Sequence, residues 1–353
     1  MLEILDKTYS FDDVLLIPNH SKIRSRLDST IDISTKIGNT KLDIPIISAN
    51  MDTVTELDMA KSIRSCGGLG IFHRFYKSKE KYHAQIKDYQ ISTKEVPYVS
   101  IGLKTSFEEI KELMDLFHTD KLNLCLDIAN ADNENVLNYI SNLLINLDNK
   151  VNLIVGNICT KQAAVRLINI GVKTFKVGIG PGSACTTRIQ TGHGIPQLSA
   201  IHYVKEAIED LRNPKDYHII ADGGIKNSGD IVKALAAGAS SVMIGKVLAS
   251  CNESPAPLIY HDGHSYKEYR GQSSYKFQKD NNIHRPDITP EGECFFIDST
   301  GPVKDTIDLL VGGIRSGMSY AGALNLRELY LNSRFVEISN AGLKESYPHG
   351  KNK

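Results

Sequence analysis

The sequence predicts an α/β fold, a (β/α)8 barrel forming a single domain over residues 1–353. Three observations carry that expectation. Eight short apolar runs of strand type punctuate the chain, and most are followed by a helical pattern. Their starts recur at the spacing of a βα unit, and eight such units close a parallel barrel.

Taken in order, residues 1–44 form an N-terminal extension expected to cross the barrel base or pack on a neighbour. The strand runs are PIISANM from Pro45, LGIFHR from Leu69, VPYVSIG from Val96 and NLCLDIA from Asn123. VNLIVGN from Val151, TFKVGIG from Thr174, HIIADGG from His218 and SVMIGK from Ser241 complete the set. Helices are expected at SFEEIKELMDLFH from Ser106, TKQAAVRLINIG from Thr160 and SGDIVKALAAGA from Ser228. Gly171 and Gly238 stand where the last two need a C-cap. PVKDTIDLLVGGIRSGMSYAGALNLRELY, from Pro302, returns to helical periodicity and can supply the eighth outer helix. Two connections outgrow the others. One follows the sixth strand and holds a loop at 178–195; the other, 251–302, follows the eighth, is polar, and reads as a lid or flap.

The stretch TFKVGIGPGSACTTR, Thr174 to Arg188, points to chemistry. Gly178, Gly180 and Gly182 let backbone approach a ligand where a Cβ would clash. The loop then presents Cys185, with the Thr187 hydroxyl and the Arg188 cation close behind. A thiolate is a nucleophile that nearby positive charge or free N–H groups favour, so Cys185 reads as a covalent catalyst. The plainer alternative is a small buried cysteine. A dinucleotide fingerprint fails, because Pro181 follows Gly180 and Ser183 takes the third glycine's place.

Barrel sites lie at the carboxyl ends of the strands, often with a phosphate held after strands seven and eight. Those ends read Asp222-Gly223-Gly224 and Gly245-Lys246, which suit a nucleoside monophosphate: glycine-turn N–H groups for phosphate, Asp222 for ribose hydroxyls. Alternatively the glycines merely end tight strands and Asp222 caps a helix.

Composition narrows the partners. Lys plus Arg and Asp plus Glu are each 41, giving no basic block beyond a short lysine-bearing tail, so nucleic acid is not an expected partner. No signal pattern opens the chain and no apolar run is long enough to span a membrane, so a cytoplasmic protein is expected. Six scattered cysteines without a CxxC pair indicate neither a zinc site nor a disulfide framework.

FDDVLLIP, SANMDTV at Ser48 to Val54, KVGIGPGSACTTR, IADGGI, SGDIVKALAAGA and YRGQSS at Tyr269 resemble the family of inosine-5′-monophosphate (IMP) dehydrogenase and guanosine-5′-monophosphate (GMP) reductase. The resemblance runs over nearly the whole chain. It implies a barrel enzyme, usually a homotetramer, whose cysteine attacks C2 of a purine nucleoside monophosphate. The reductase converts GMP to IMP and ammonia with NADPH; the dehydrogenase converts IMP to xanthosine monophosphate (XMP) with NAD.

Several features resemble the reductase. Leu69 to Val96 leaves no room for the cystathionine-synthase-type (CBS) insert usual in dehydrogenases, and no Arg-Tyr pair occurs between Tyr275 and Gly301. LDIAN at Leu126 to Asn130 and TGHGIPQLSA agree. IADGGI, YRG, LVGGIRSGM and the tail ISNAGLKESYPHG are closer to dehydrogenases. GMP reductase with NADP(H) is the expectation, IMP dehydrogenase without the insert the alternative. A non-catalytic purine-nucleotide-binding protein is a third, against which intact Cys185 and Thr187 argue.

Carried over by resemblance, Thr187 and Glu291 form a proton relay beside Cys185. Ser183, Asp222, Gly224, Gly245, Lys246, Tyr269, Gly271, Gln272 and Ser273 fall at nucleotide-contacting positions. Gln272 stands where Met is usual, and Lys246 brings an added cation. Asp127, Ala129 and Asn130, with Gly178 and Gly180, match the cofactor loops; Arg74 replaces the family's lysine. Ser25 and Arg26 would reach a neighbouring subunit's cofactor. The reductase's arginine three residues before the flap glutamate is absent, that place being Ile288. Backbone carbonyls of Gly180, Gly182 and Cys185 resemble a potassium (K+) site.

Overall fold

The computed structural model describes residues 7–147, 150–348 and 350; the lysine-bearing tail at 351–353 lies outside them. All eight expected strands are present. They are β1 (Ile46–Ser48), β2 (Leu69–Phe72), β3 (Tyr98–Ile101), β4 (Leu122–Asp127), β5 (Val151–Ile158), β6 (Thr174–Val177), β7 (His218–Asp222) and β8 (Ser241–Ile244). Each pairs in parallel with its sequence neighbours, and β8 closes the ring on β1 through the Val242–Ile46 register. The apolar, β-branched content of these runs follows from that closure, since a strand covered by helices outside and side chains inside has no wet face.

Helices α1 (Leu57–Ser65), α2 (Lys79–Thr93), α3 (Phe107–Phe117), α4 (Glu134–Leu147), α5 (Lys161–Asn169), α6 (Gln197–Glu209), α7 (Ser228–Ala236) and α8 (Val303–Ala321) form the outer ring. Sequence marks several ends. Ser106 and Glu109 make a reciprocal capping box on α3, and Thr160 and Asn227 cap α5 and α7 through their side chains. Gly171 and Gly238 take positive φ just past α5 and α7, as the C-cap expectation requires. Between β2 and β3 only α2 intervenes, so this connection carries no inserted domain. No helix among the described residues is long and apolar enough to cross a membrane.

Two segments differ from expectation. The N-terminal extension does cross the base, where the hairpin Thr35–Ile37/Thr40–Leu42 buries Ile37 and Leu42 and accepts a hydrogen bond from Tyr98 Oη on the Ile37 carbonyl (3.1 Å). Its beginning, however, reaches the opposite end: Phe11 is buried and, with Ser10 and Asp12, lines the cavity at the strands' carboxyl ends. The flap is not a bare polar loop. It carries an antiparallel three-stranded sheet, Leu258–His261, His264–Arg270 and Cys294–Asp298, and a short helix, Tyr275–Asp280. Asp262 and Gly263 both have positive φ at the hairpin turn, the conformation that Asp-Gly favours.

Candidate active site

A cavity of about 1080 Å³ opens at the carboxyl ends of the barrel strands, larger than one nucleotide needs. Strand β6 leads straight into its reactive edge. Gly178, at φ +144°, passes so close to β7 that a Cβ there would lie 2.1 Å from the Asp222 carbonyl oxygen. No other residue fits. The loop then turns on the Cys185 N–H, which donates to the Gly182 carbonyl (3.0 Å). Arg188 braces the loop by donating from Nε to the Ile179 carbonyl (3.0 Å) and from Nη2 to the Ile195 carbonyl (2.5 Å).

The flap docks on this loop through backbone. Thr186 N–H donates to the Glu291 carbonyl (3.0 Å), Glu293 N–H donates to the Ala184 carbonyl (2.8 Å), and Cys185 bridges Gly292. This seats the Glu291 side chain beside the nucleophile. The Cys185 thiol donates to Thr187 Oγ1 (3.1 Å), and the Thr187 hydroxyl donates to Glu291 Oε2 (2.7 Å). A sulfur, a hydroxyl and a carboxylate thus form one unbroken proton path, which can carry a proton either way.

Around it, Ser183, Asp222, Gly224, Gly245, Lys246, Tyr269, Gly271, Gln272 and Ser273 all line the cavity. Burial pushes the Tyr269 phenol up to about 12, with the Ser183 hydroxyl pulling the other way, so it stands as a neutral hydrogen-bonding group. Gln272 donates from Nε2 to the Asn50 carbonyl (2.7 Å). Arg74, Asp127, Ala129, Gly178 and Gly180 line the same space, so the residues expected for a nicotinamide cofactor share one cavity with those expected for the nucleotide. The donor set fits such a cofactor: a cation, a carboxylate and side-chain-free backbone.

Three expected residues lie elsewhere. Ser25 and Arg26 are exposed and outside the cavity of this chain, Ser25 Oγ accepting the Leu27 N–H (3.1 Å). Asn130 is exposed, and its Oδ1 accepts the Asp132 N–H (3.1 Å), an Asx turn that leads toward α4. Of the three carbonyls expected to hold the cation, those of Gly180, Gly182 and Cys185, that of Gly182 accepts the Cys185 N–H (3.0 Å) and keeps a second lone pair.

Other lining residues were not singled out from sequence. Phe11 and Asn157 were invisible as site residues, and Lys176 looked like an ordinary strand position. The signal for Lys176 was there: an uncompensated charge in the middle of an apolar barrel strand.

A closed barrel presenting a cysteine, a relay and two glycine-ended loops to one cavity larger than a single nucleotide belongs with the purine nucleotide oxidoreductases. The chain is a member of the IMP dehydrogenase / GMP reductase domain family, whose model matches residues 8–349. It is 37% identical over 408 aligned positions to an inosine-5′-monophosphate dehydrogenase of Borreliella burgdorferi, covering 98% of each chain. It is 34% identical to that of Cryptosporidium parvum (98% of this chain, 96% of the relative) and 31% identical to that of Methanocaldococcus jannaschii (97% and 95%).

Proposed function

We propose that the protein is an IMP dehydrogenase without the regulatory insert, oxidising IMP to XMP with NAD through a covalent bond from Cys185 to C2 of the purine. The observation that supports covalent chemistry at Cys185 is its hydrogen-bonded chain through Thr187 to Glu291, which serves either direction of the reaction. The names of the relatives support the oxidative direction.

The Cys185 sulfur adds across the C2–N3 double bond, its proton ending on N3. C2 then gives up its hydrogen as hydride, which restores a carbon–nitrogen double bond at C2 once the N3 proton is lost. A bound nicotinamide supplies the acceptor for that hydride. The remaining adduct joins C2 to sulfur and is open to water. Thr187 takes the proton of the attacking water and passes its own to Glu291, since amide-like carbon is attacked far faster by a partly deprotonated water. Collapse of the adduct breaks the C–S bond, returning the sulfur to Cys185 and releasing XMP. The flap holds Glu291 in place by docking its backbone on residues 184–186.

GMP reductase, with NADPH, is the second reading, and a specific observation favours it. Within the flap, Arg285 pairs with Asp287 through Nε (3.1 Å) and Nη2 (2.6 Å), and the sequence between Tyr275 and Gly301 carries no Arg-Tyr pair of the kind the dehydrogenases use there to activate water. The Thr187–Glu291 pair would then run in reverse, protonating the departing ammonia. A homotetramer would bring the exposed Ser25 and Arg26 to a neighbour's cofactor, and carbonyls of Gly180, Gly182 and Cys185 would bind potassium with ligands from outside the loop.

The deciding experiment follows the nicotinamide absorbance with each pair. NAD reduction with IMP supports the dehydrogenase; NADPH oxidation with GMP alone overturns it in favour of the reductase.

A further inference from the structure

Lys176, in the middle of β6, points into the barrel and is 3% exposed. Its stem has room because the neighbouring strand residue is Gly156, where a Cβ would lie 2.4 Å from the Lys176 Cβ. Its ammonium bonds Asp127 Oδ1 at 2.9 Å and Asp222 Oδ2 at 3.0 Å. Asp127 closes β4 and Asp222 closes β7, so one cation spans the barrel between two strand ends. Asn157 completes the bridge, its Oδ1 accepting from Lys176 and its Nδ2 donating to Asp222 Oδ2 (2.8 Å).

Both carboxylates line the cavity, Asp222 on the nucleotide side and Asp127 on the side of Arg74 and Ala129. Each spends one oxygen on Lys176. Among the described residues, Asp127 Oδ2 and Asp222 Oδ1 have no protein donor, which leaves both free for ligand hydroxyls. The cluster therefore carries two carboxylates and one cation. Burial works against the Lys176 charge, but Asp127 and Asp222 outweigh it and hold the group above its ordinary value, so it stays charged. The remaining titratable neighbours are Cys125, whose thiol burial pushes up to about 12 and keeps neutral, and Arg74, which faces Asp127 from β2's end.

We propose that Lys176 is a positioning residue that ties the nucleotide half of the cavity to the cofactor half, fixing Asp222 for the ribose of the purine nucleotide and Asp127 for the nicotinamide nucleotide. This rests on reading the cavity as the joint site of those two ligands. Removing the cation leaves two carboxylates that had both lain within 3.0 Å of one ammonium, and like charges that close share a proton. One of the two then no longer accepts a hydroxyl.

The test is steady-state kinetics of Lys176→Met across neutral pH. The KM for nucleotide and the KM for cofactor both rise, by about tenfold or more, the loss expected for a charge-assisted hydrogen bond, while kcat changes less. Both KM values fall again as pH rises, where the native enzyme is flat. Adding Asp127→Asn to Lys176→Met removes the opposing charge: the nucleotide KM loses its pH dependence and the cofactor KM stays raised. A folded Lys176→Met enzyme with native KM values and a flat profile overturns the proposal. Should that variant not fold, the double variant is read alone, and a native cofactor KM there overturns it. Calorimetric titration with IMP separates the two ideas. Native protein that binds IMP but turns over neither nucleotide–cofactor pair sinks the dehydrogenase reading, and unchanged IMP affinity in the variant then sinks the role of Lys176. Native protein that binds neither IMP nor GMP overturns both.

Discussion

The Thr187 hydroxyl donates to Glu291 Oε2 at 2.7 Å although 104 residues separate them, because the flap is hydrogen-bonded by its backbone to the loop that carries the nucleophile. The carboxylate is thus positioned by the main chain on either side of it, and the hydroxyl stands between it and the sulfur. Replacing Glu291 with Gln keeps the shape and removes the proton acceptor. We expect Glu291→Gln to slow turnover by roughly 10²–10⁴-fold, the range of a lost general base. Hydride transfer needs no base, so a rapid burst of one equivalent of reduced cofactor per site should precede the slow steady state. Stopped-flow absorbance reads this directly. A variant with native steady-state rate would remove Glu291 from the relay.

Cys185 meets the cavity by its side chain, and its N–H is already satisfied by Gly182, so truncating it leaves the loop's own bonds in place. Cys185→Ala should abolish turnover and leave IMP affinity within about threefold, since nucleotide contacts come from elsewhere. Mass spectrometry of native protein quenched during turnover should find the purine on the Cys185 peptide. Residual turnover in the alanine variant, above the uncatalysed rate, would exclude a covalent intermediate.

Arg270 ends the flap's central strand and forks to two close acids, with Glu268 Oε1 farther off at 3.6 Å. Its Nη2 reaches Asp52 Oδ2 and its Nη1 reaches Asp280 Oδ2, each at 2.5 Å, with side-chain exposures of only 11% and 12% for Arg270 and Asp52. Burial disfavours the guanidinium charge, but Asp52 and Asp280 more than offset it and hold the group above its usual value. Arg270→Met strands Asp52 and should lower stability by about 3–5 kcal/mol. Arg270→Lys should cost about 1–3 kcal/mol, because one ammonium cannot serve both acids as a planar fork does. Chemical denaturation ranks the three proteins; a lysine variant as stable as native would show that charge alone suffices.

The barrel was legible because its strands are short apolar runs at a regular pitch, and every one of the eight fell where TFKVGIG and its counterparts placed it. Cys185, Thr187 and Glu291 come together as the family resemblance implied. What stayed hidden depended on tertiary closure. Asp262-Gly263 was a hairpin signal, but Leu258–His261 is largely exposed and lacks the apolar alternation that marks a strand. Lys176 stands out in the sequence as a charge within an apolar strand, but its partners Asp127 and Asp222 come from two other strands that only closure brings to it. Asn130 matched a cofactor position by motif, yet its short side chain serves its own backbone instead.

Acid should lower the stability of the protein through two pH windows set by different groups. His218, at the start of β7, is pushed from 6.5 down to about 4 by burial, with Lys36 adding to the effect. Its unfolded form therefore binds a proton that the folded form refuses between those values, and stability falls as pH drops through that window, by on the order of 3 kcal/mol. Glu56 behaves as a depressed acid. Burial pushes it up, but the His73 ring 3.6 Å away and hydrogen bonds from Gln85 and Lys81 together hold it at about 2 against an ordinary 4.5. Its stabilisation is complete above 4.5 and disappears as pH falls toward 2, a later window. His218→Gln should flatten the melting temperature between pH 6.5 and about 4.5 and leave the steeper loss below it intact. Calorimetric scans of native and variant protein across that range check the assignment, and parallel curves would mean that some other group drives the loss in the first window.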